Sequence, residues 1–581
     1  MPTATSSDVC KLLLLGRCLR AVVFSVIIQF LLLTIFLLFV NFQLLHPLNW
    51  VASTFSLVCS LYTWFASIPL ITAIVLYGVI LCQEHLVERR YHPSRYRWLQ
   101  QHGLRKLMFL GAHLMVGYLT AWLYTGYMHT DYRHLMYKCY GSDCLSGYHI
   151  FLLGMGTTAG CYYFVSVYLN RDVRIEFSVV DQSRSHKMRQ LLYGTLLKSL
   201  TRSLVPTLGF TLVFWLCGSL VGHKLSQLLG VDTDERLEGF FGVVTSIRLI
   251  FYAWLLTAQI LSNMHLMRRF YAILLTEDLP LVVSKNRTAF AQDQEVTVVA
   301  GLGVINIYVV QCLSASFLFK LAHRKDSGYR QELFQLTEPG NRPANWRAFC
   351  DQSLSIIGGF TDELTDSMQQ ISMLKVTQNH FPVINHDSAS AALLAEKVLL
   401  RQYNHLHGIR PIVSPRREQQ SDDQPVLGGI RHMPNWCERV SLQLQQALKR
   451  LLQRIPGIAY LFSEPDGAKA IFLLSNSLPI VWLSEGLAQI CVASLTEDIY
   501  GVVQNDLPAI IKALSSLKDN LDKLASVVGN LSGSDTENFS MLRGAVRRSL
   551  YNVGTCFNAY LGDLIDSPEE LRMLKSFIHQ D

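Results

Sequence analysis

Few residues in this 581-residue sequence have the types and spacing that chemistry requires. Cys139 and Cys144 share one short polar segment, where an oxidising compartment would favour a disulfide. Spacing alone does not fix the Cβ geometry that the bond needs, so paired and free thiols both stay open. His405 and His407 have no partners at metal-ligand spacing, so we predict no metal site.

Signatures of catalysis are missing from the sequence. There is no Walker loop, Gly-x-Ser-x-Gly elbow, His-Glu-x-x-His or Cys-x-x-Cys motif, and Gly301-Leu302-Gly303 lacks the rest of a dinucleotide fingerprint. No nucleic-acid-binding module is evident either. We therefore expect no catalytic residue, no cofactor, no small-molecule substrate and no nucleic-acid partner, and we predict that the protein is not an enzyme.

The charge distribution separates the chain into two halves. Only 16% of residues are charged, against about 25% in a typical soluble domain. Residues 1–267 carry 21 Lys and Arg against 12 Asp and Glu, whereas residues 268–581 carry 30 against 32. The basic half also holds the long apolar runs. This pattern excludes a secreted or a simple cytosolic globular protein.

Six segments are long and apolar enough to cross a hydrocarbon core of about 30 Å. The segment 51–82 holds one span, in its later part; the other five are Ala21–Val40, Leu107–Tyr127, Ile150–Leu169, Leu204–Gly222 and Leu249–Met267. The loops that follow the second and fourth spans carry six and seven Lys or Arg. Those after the first, third and fifth carry none, two and two. By the positive-inside rule, both termini are cytosolic and three short loops are lumenal.

Polar residues inside the spans favour an anchor over a conduit. Gln29 and His113 are uncharged and can be satisfied across helix interfaces, and no span carries Asp or Glu. A multi-span receptor or channel remains the alternative. The uncharged segment Val296–Phe319 is long enough to span, but its Gly and Asn residues favour a buried or membrane-apposed helix over a seventh crossing.

The second half predicts helices almost throughout. Residues 381–435 mix Pro, Ser, Gln and charge, as partly disordered linkers do. Leu507, Ile510, Ile511, Leu514, Leu517, Leu521 and Leu524 mark one face of a later helix. The segment Glu438–Ile455 is amphipathic, and its basic face is either a membrane-binding surface or the solvated side of a packed helix; that face carries Arg439, Lys449, Arg450 and Arg454.

These patterns predict an all-α protein in which a six-helix membrane domain precedes a helical cytosolic domain with a linker inside it. The predicted parts are a cytosolic N-terminus (1–20), the spans (21–267), a helical segment (268–380), the linker (381–435) and a C-terminal helical domain (436–581).

Two irregular strings resemble the nuclear-division-cycle (NDC-one) family of transmembrane nucleoporins. One runs from Ser484 through Thr496-Glu497-Asp498 to Leu507-Pro508, and the other from Arg330 through Pro339-Gly340 to Trp346. His46-Pro47 with Trp50, and Cys144-Leu145 with Tyr148-His149, are similar to lumenal positions of the family. The positions that carry the two main strings are Arg330, Gln331, Glu332, Phe334, Pro339, Gly340, Trp346, Glu485, Gly486, Thr496, Glu497, Asp498, Gly501, Val502, Val503 and Gln504.

The resemblance implies a structural protein of the nuclear envelope, located in the pore membrane. It implies anchoring of the pore complex, pore assembly, and binding of soluble nucleoporins, among them aladin and the membrane-associated nucleoporins of the inner ring. The linker here is shorter than in vertebrate members, so partner motifs in it are not carried over. The motif positions serve either the fold or partner binding. For the turn at Glu497 and Asp498 we expect a fold role at the beginning of a helix, where the macrodipole favours acidic residues.

Overall fold

The computed structural model describes most of the chain outside residues 380–466. The described residues are 6–42, 45–86, 89–139, 142–169, 175, 177, 184–233, 246–284, 296–304, 307–324, 328–336, 342–379, 467–527, 533–565 and 567–580. The predicted linker, the basic helix with Arg439, Lys449, Arg450 and Arg454, and also Pro339, Gly340, His405 and His407 lie outside them.

Long helices dominate the membrane half. In chain order its elements are α1 (Ser6–Val40), α2 (Pro47–Cys59), α3 (Leu61–Leu86), α4 (Arg95–Thr125), α5 (Thr130–Arg133), β1 (Met136–Cys139), β2 (Ser142–Leu145), α6 (Gly147–Tyr163), α7 (Arg184–Arg202), α8 (Leu204–Leu229), β3 (Asp232–Thr233) and α9 (Ile247–Leu275). A π-helical turn, Phe164–Leu169, continues α6. The predicted spans coincide with α1, α3, α4, α6, α8 and α9, so the all-α membrane domain is confirmed.

The second half is also helical. Its elements are β4 (Leu281–Val282), β5 (Val296–Thr297), α10 (Val298–Leu302), α11 (Tyr308–His323), α12 (Gly328–Phe334), α13 (Ala344–Asn379), α14 (Ala468–Ser475), α15 (Leu478–Glu497), α16 (Leu507–Val527), α17 (Gly533–Cys556), α18 (Leu561–Leu564) and α19 (Pro568–Gln580), with short 3-10 turns at Val503–Asn505 and Asn558–Tyr560. All seven predicted apolar positions of α16 are buried, at most 3% exposed.

The count of possible spans differs from the prediction. Among the residues that the structure describes, seven helical stretches are long and apolar enough to cross a membrane, and the additional one is α15. It packs against α11 and α17, neither of which is a candidate span. The apolar composition of α15 is thus explained by burial within the helical domain, where even its serines Ser484 and Ser494 are buried.

Two segments were predicted wrongly as single elements. Val296–Phe319 is not one helix, because α10 ends at Leu302 and α11 begins at Tyr308. The first interhelical segment, Asn41–Ser60, is not merely a loop but contains α2, with Pro47 in its first turn. Proline fits that position because the first N–H groups of a helix have no intrahelical acceptor.

The membrane bundle has two distinct ends. At one end, which we call the hairpin end, β1 and β2 form an antiparallel hairpin after α4, and β3 pairs with β2 after α8. At the other, the domain end, Arg89 follows α3 and donates to Asn476 Oδ1 at 2.7 Å. Phe177, between α6 and α7, contacts the ring of Trp482. Residues of both Lys- and Arg-rich loops, Arg89 and Phe177, therefore contact the helical domain, and the loops after α4 and α8 pair with each other.

Arg17 of α1 ties the first span to the exit of the last. Its guanidinium donates to the carbonyls of Leu275 and Glu277, and to that of Asp278 at 2.7 Å. The Asp278 carboxylate in turn accepts from Lys320 Nζ of α11 at 2.8 Å. Buried apolar side chains continue through this region as one cluster that includes residues of both halves. The helical domain is packed onto the membrane domain rather than tethered by a linker.

Polar side chains within the bundle bind one another, as predicted for Gln29. Its amide donates to Tyr124 Oη at 3.2 Å and accepts from Asn263 Nδ2 at 2.6 Å, which joins α1, α4 and α9. His113 behaves differently: its Nδ1 lies 2.6 Å from the carbonyl of Phe109 in its own helix. Its imidazole packs among aromatic rings instead of bonding across an interface.

Candidate functional site

The two motif strings meet in the helical domain, although about 160 residues separate them. Arg330 of α12 pairs with Glu497 at the end of α15. Trp346, in the first turn of α13, donates to Asp506, which directly precedes α16. We call Arg330, Glu497, Trp346 and Asp506 the motif junction. It joins the helices that precede residues 380–466 to those that follow them.

Arg330 is almost fully engaged. Its Nε donates to Glu497 Oε2 at 3.0 Å and its Nη2 to Glu497 Oε1, so the carboxylate is held bidentately. Nη1 donates to the carbonyls of Ala322 and Arg324 at 2.8 and 2.7 Å, at the C-terminal end of α11. The side chains of Arg330 and Glu497 are only 10% and 11% exposed. The hydrogen bond to Glu497 raises the pKa of the Arg330 guanidinium further above its ordinary value.

Trp346 forms the second contact of the motif junction. Its side chain is fully buried, and its indole ring contacts Phe334 and Phe349 with centroids 6.0 and 5.8 Å apart. The indole N–H donates to Asp506 Oδ2 at 2.8 Å, which satisfies the single donor of a buried tryptophan. Asn345 extends the contact, because its amide donates to the carbonyl of Glu332 at 3.2 Å.

The turn after α15 is fixed by Asp498. Its carboxylate accepts from the backbone N–H of Tyr500 at 3.2 Å and of Val503 at 2.9 Å. Gly501 has a φ of +65°, a backbone conformation that is unfavourable for residues with a Cβ atom. We predicted that Glu497 lies at the beginning of a helix. This prediction is wrong, because Glu497 is the last residue of α15. Glu497 is stabilised by Arg330, not by a helix macrodipole.

Replacing Gly501 by Ala should destabilise this turn by about 1–2 kcal/mol, because a Cβ crowds the carbonyl in the left-handed conformation. Thermal unfolding of the purified full-length protein in detergent measures the change. Gly562 is the matched control, since it lies in α18 with open space around a Cβ and no positive φ. If Gly501→Ala and Gly562→Ala unfold at the same temperature, the turn is not strained as described.

Glu485 and Gly486 lie on two sides of α15. A Cβ on Gly486 would come within 3.3 Å of the Leu318 side chain, so glycine permits the close approach of α11 and α15. Glu485 accepts from Arg548 of α17 at 2.6 Å, but Arg548 is 64% exposed. Such surface pairs contribute about 0–1 kcal/mol. Of the two, Gly486 has the clearer packing role.

Other motif positions face solvent beside the junction. Gln331, Thr496 and Gln504 are exposed, whereas Phe334, Val502 and Val503 are buried. Next to them are three exposed apolar residues, Leu495, Ile499 and Tyr500, with exposures of 49%, 89% and 61%. We call these three the turn patch.

Sequence reasoning missed Asp506 and the turn patch as candidate sites. Asp506 is acidic and directly precedes a helix with Pro in its first turn. That is a typical helix-capping position, so the sequence did not indicate its long-range contact with Trp346. The signal for the patch was an Ile-Tyr pair in a polar turn, outside any helical period. Among the described residues, no group of three or more His, Cys, Asp or Glu could hold a metal ion.

Cys144 forms a disulfide bond at the hairpin end of the bundle. In the hairpin, Cys144 pairs with Tyr137 and Cys139 with Ser142, so one residue pair, Lys138 with Asp143, separates the two cysteines along the register. The pairing of Cys139 with Cys144 stays a prediction. The cysteines of the described helical domain, Cys312, Cys350, Cys491 and Cys556, are free.

Comparison with known proteins finds a family that covers both the junction and the spans. A family model described as "Nucleoporin protein Ndc1-Nup" matches residues 12–575. The chain belongs to the Ndc1-Nup nucleoporin family. It is 65% identical over 582 residues to "Nucleoporin Ndc1" of Drosophila melanogaster, with both chains covered completely. It is 23% identical over 664 residues to "Nucleoporin NDC1" of Homo sapiens, covering 99% of this chain and 98% of the human one.

Family membership confirms the resemblance and has direct consequences. The protein is a component of the nuclear pore and, with its apolar helices, a nuclear pore membrane protein. As a nucleoporin it interacts with other nucleoporins and with the membrane, and its family indicates a structural protein rather than an enzyme.

Proposed function

We propose that this protein anchors the nuclear pore complex in the pore membrane and recruits soluble nucleoporins during pore assembly. The observation that carries the proposal is the division of the bundle into two ends, with the helical domain packed against one of them through Arg89 and Arg17. A domain that is fixed rigidly to a membrane anchor transmits force from its partners to the bilayer.

We further propose that the helical domain and both termini face the cytosol and the pore. The positive-inside rule supports this orientation, because the Lys- and Arg-rich loops belong to the domain end. The cysteines support it independently. Cys144 at the hairpin end is disulfide-bonded, as an oxidising lumen favours, whereas the described cysteines of the helical domain are free.

A C-terminal epitope should stain the nuclear rim after digitonin, which opens the plasma membrane and leaves the lumen of the nuclear envelope closed. The cytosolic orientation requires staining at this step. An epitope inserted in the segment 140–141 of the hairpin end is the matched control and should stain only after full permeabilisation. Staining of the hairpin epitope first would invert the proposed topology.

For recruitment we propose the turn patch as a docking point. The turn that carries these exposed apolar residues is already held by Asp498 and by the motif junction. Binding of a partner therefore costs little additional conformational entropy of the turn. The partners implied by the family resemblance are aladin and the membrane-associated nucleoporins of the inner ring.

Tyr500→Ala should weaken capture of these nucleoporins by about tenfold or more, the usual loss for a central interface aromatic. The assay is a pull-down with the purified full-length protein in detergent. Tyr560→Ala is the matched control, because Tyr560 is 58% exposed in a different part of the domain. Equal capture by the two variants contradicts the assignment to the turn patch. Loss of all capture in both would indicate instead that the preparation is inactive.

A further inference from the structure

Helix α2, at the hairpin end of the bundle, has three different faces. Trp50, Thr54 and Val58 form the face toward the protein; Thr54 is fully buried, Val58 packs against the apolar core, and the Trp50 indole donates to the carbonyl of Leu38 at 3.0 Å. A second face is apolar and exposed, with Leu48 at 85%, Val51 at 39% and Phe55 at 55%. The third is polar and exposed, with Asn49, Ser53 and Ser56.

The helical period separates these faces. Leu48, Val51 and Phe55 follow each other at intervals of three and four, which places them in one stripe. Asn49, Ser53 and Ser56 are spaced by four and three residues, so they form a separate stripe on another side of the helix. The apolar stripe is therefore not an accident of scattered surface residues, and no described residue covers it.

The position of α2 matches the edge of the hydrocarbon layer. Trp50 contacts Leu38 close to the end of α1, and Thr63 near the beginning of α3 donates to the carbonyl of Leu57 at 2.6 Å. The next helix, α3, begins two residues after α2 and also exposes large apolar side chains, with Leu61 and Phe65 76% and 69% exposed. Because α3 is a candidate membrane span, we infer that these side chains face lipid.

The segment that contains α2 has no charge. Residues 41–60 include no Asp, Glu, Lys or Arg. An amphipathic helix binds a bilayer through its apolar area and through attraction of basic residues to anionic headgroups, and here only the first contribution exists.

We propose that α2 is an interfacial helix that binds the bilayer leaflet at the hairpin end. Its apolar stripe lies at the boundary of the acyl chains, its polar stripe lies among the headgroups, and the face with Trp50 and Thr54 holds it to the bundle. The partner is the lipid surface, and neutral lipids suffice. This inference goes beyond the proposed function, since it requires no nucleoporin.

The test places one environment-sensitive fluorescent amino acid at position 55 or at position 53 of the full-length protein. The protein is incorporated into phosphatidylcholine nanodiscs, which leave both membrane faces open to water. At position 55 we expect strong quenching by brominated lipid and weak quenching by iodide. At position 53, the matched control on the polar stripe, we expect the reverse.

Three results overturn the proposal. Equal iodide quenching at 53 and 55 means that the apolar stripe is in water. Protection of position 55 from both quenchers means that protein, such as a second copy of the chain, covers it. Lipid quenching that appears only when phosphatidylserine is added means that anionic headgroups are needed. Both reporters replace exposed residues, so loss of the fold is not expected, and a monodisperse elution profile checks this.

Discussion

Replacing Arg330 by Met should lower the free energy of unfolding by about 3–5 kcal/mol. The substitution leaves the Glu497 carboxylate buried without its partner, and the cost of an uncompensated buried charge falls in this range. The carbonyls of Ala322 and Arg324 lose their donors as well. We expect a lower unfolding temperature in detergent and faster trypsin cleavage of the helical domain.

A double substitution separates charge from packing. Arg330→Met combined with Glu497→Leu removes both charges, so the double variant should be more stable than Arg330→Met alone. Arg548→Met tests the exposed pair with Glu485 and should change stability by about 0–1 kcal/mol. If Arg330→Met and Arg548→Met have the same small effect, then the buried pair does not join the two motif strings energetically.

Replacing Trp346 by Ala should cost about 3–5 kcal/mol, because it empties a fully buried site between Phe334 and Phe349. Trp346→Phe retains much of the packing but removes the donor to Asp506, so it should cost about 1–3 kcal/mol. The same unfolding measurement ranks the variants.

The control for Trp346 is Trp98, which lies in the first turn of α4 and is 40% exposed. Trp98→Ala should destabilise far less than Trp346→Ala, because it leaves no internal cavity. A Trp346→Phe variant as unstable as Trp346→Ala would show that the hydrogen bond to Asp506 matters more than the volume of the indole ring.

The sequence predicted those elements whose signal is local. A span is an apolar run near 20 residues long, and α16 repeats its apolar residues at intervals of three and four, so both could be recognised from neighbouring positions alone. The same logic failed where local signals were mixed. Residues 296–319 form an uncharged run, and its length hid the separation into α10 and α11. In 41–60, the absence of charge predicted a lumenal segment but concealed the helix α2.

The motif junction could not be predicted in this way. Arg330 lies in a short helix rich in polar residues, where a surface position is the ordinary expectation. Its burial depends on Glu497, 167 residues later, and no periodicity relates two positions that far apart. The resemblance to a family identified both strings without indicating that they touch. Similarly, the burial of α15 depends on α11 and α17 and not on its own composition, which alone suits a membrane span.

The distance along the chain between Arg330 and Glu497 also delays the formation of their ion pair during synthesis of the protein. Ribosomes add about 5–20 residues per second, so Arg330 waits roughly 10–30 s for its acceptor. During that interval the spans are already inserted, while the first part of the helical domain has an unneutralised guanidinium and an indole without Asp506. A nascent chain that stops short of Glu497 stays permanently in this immature condition. Such a truncated chain keeps exposed two groups, the Arg330 guanidinium and the Trp346 indole, that the complete chain pairs at the motif junction.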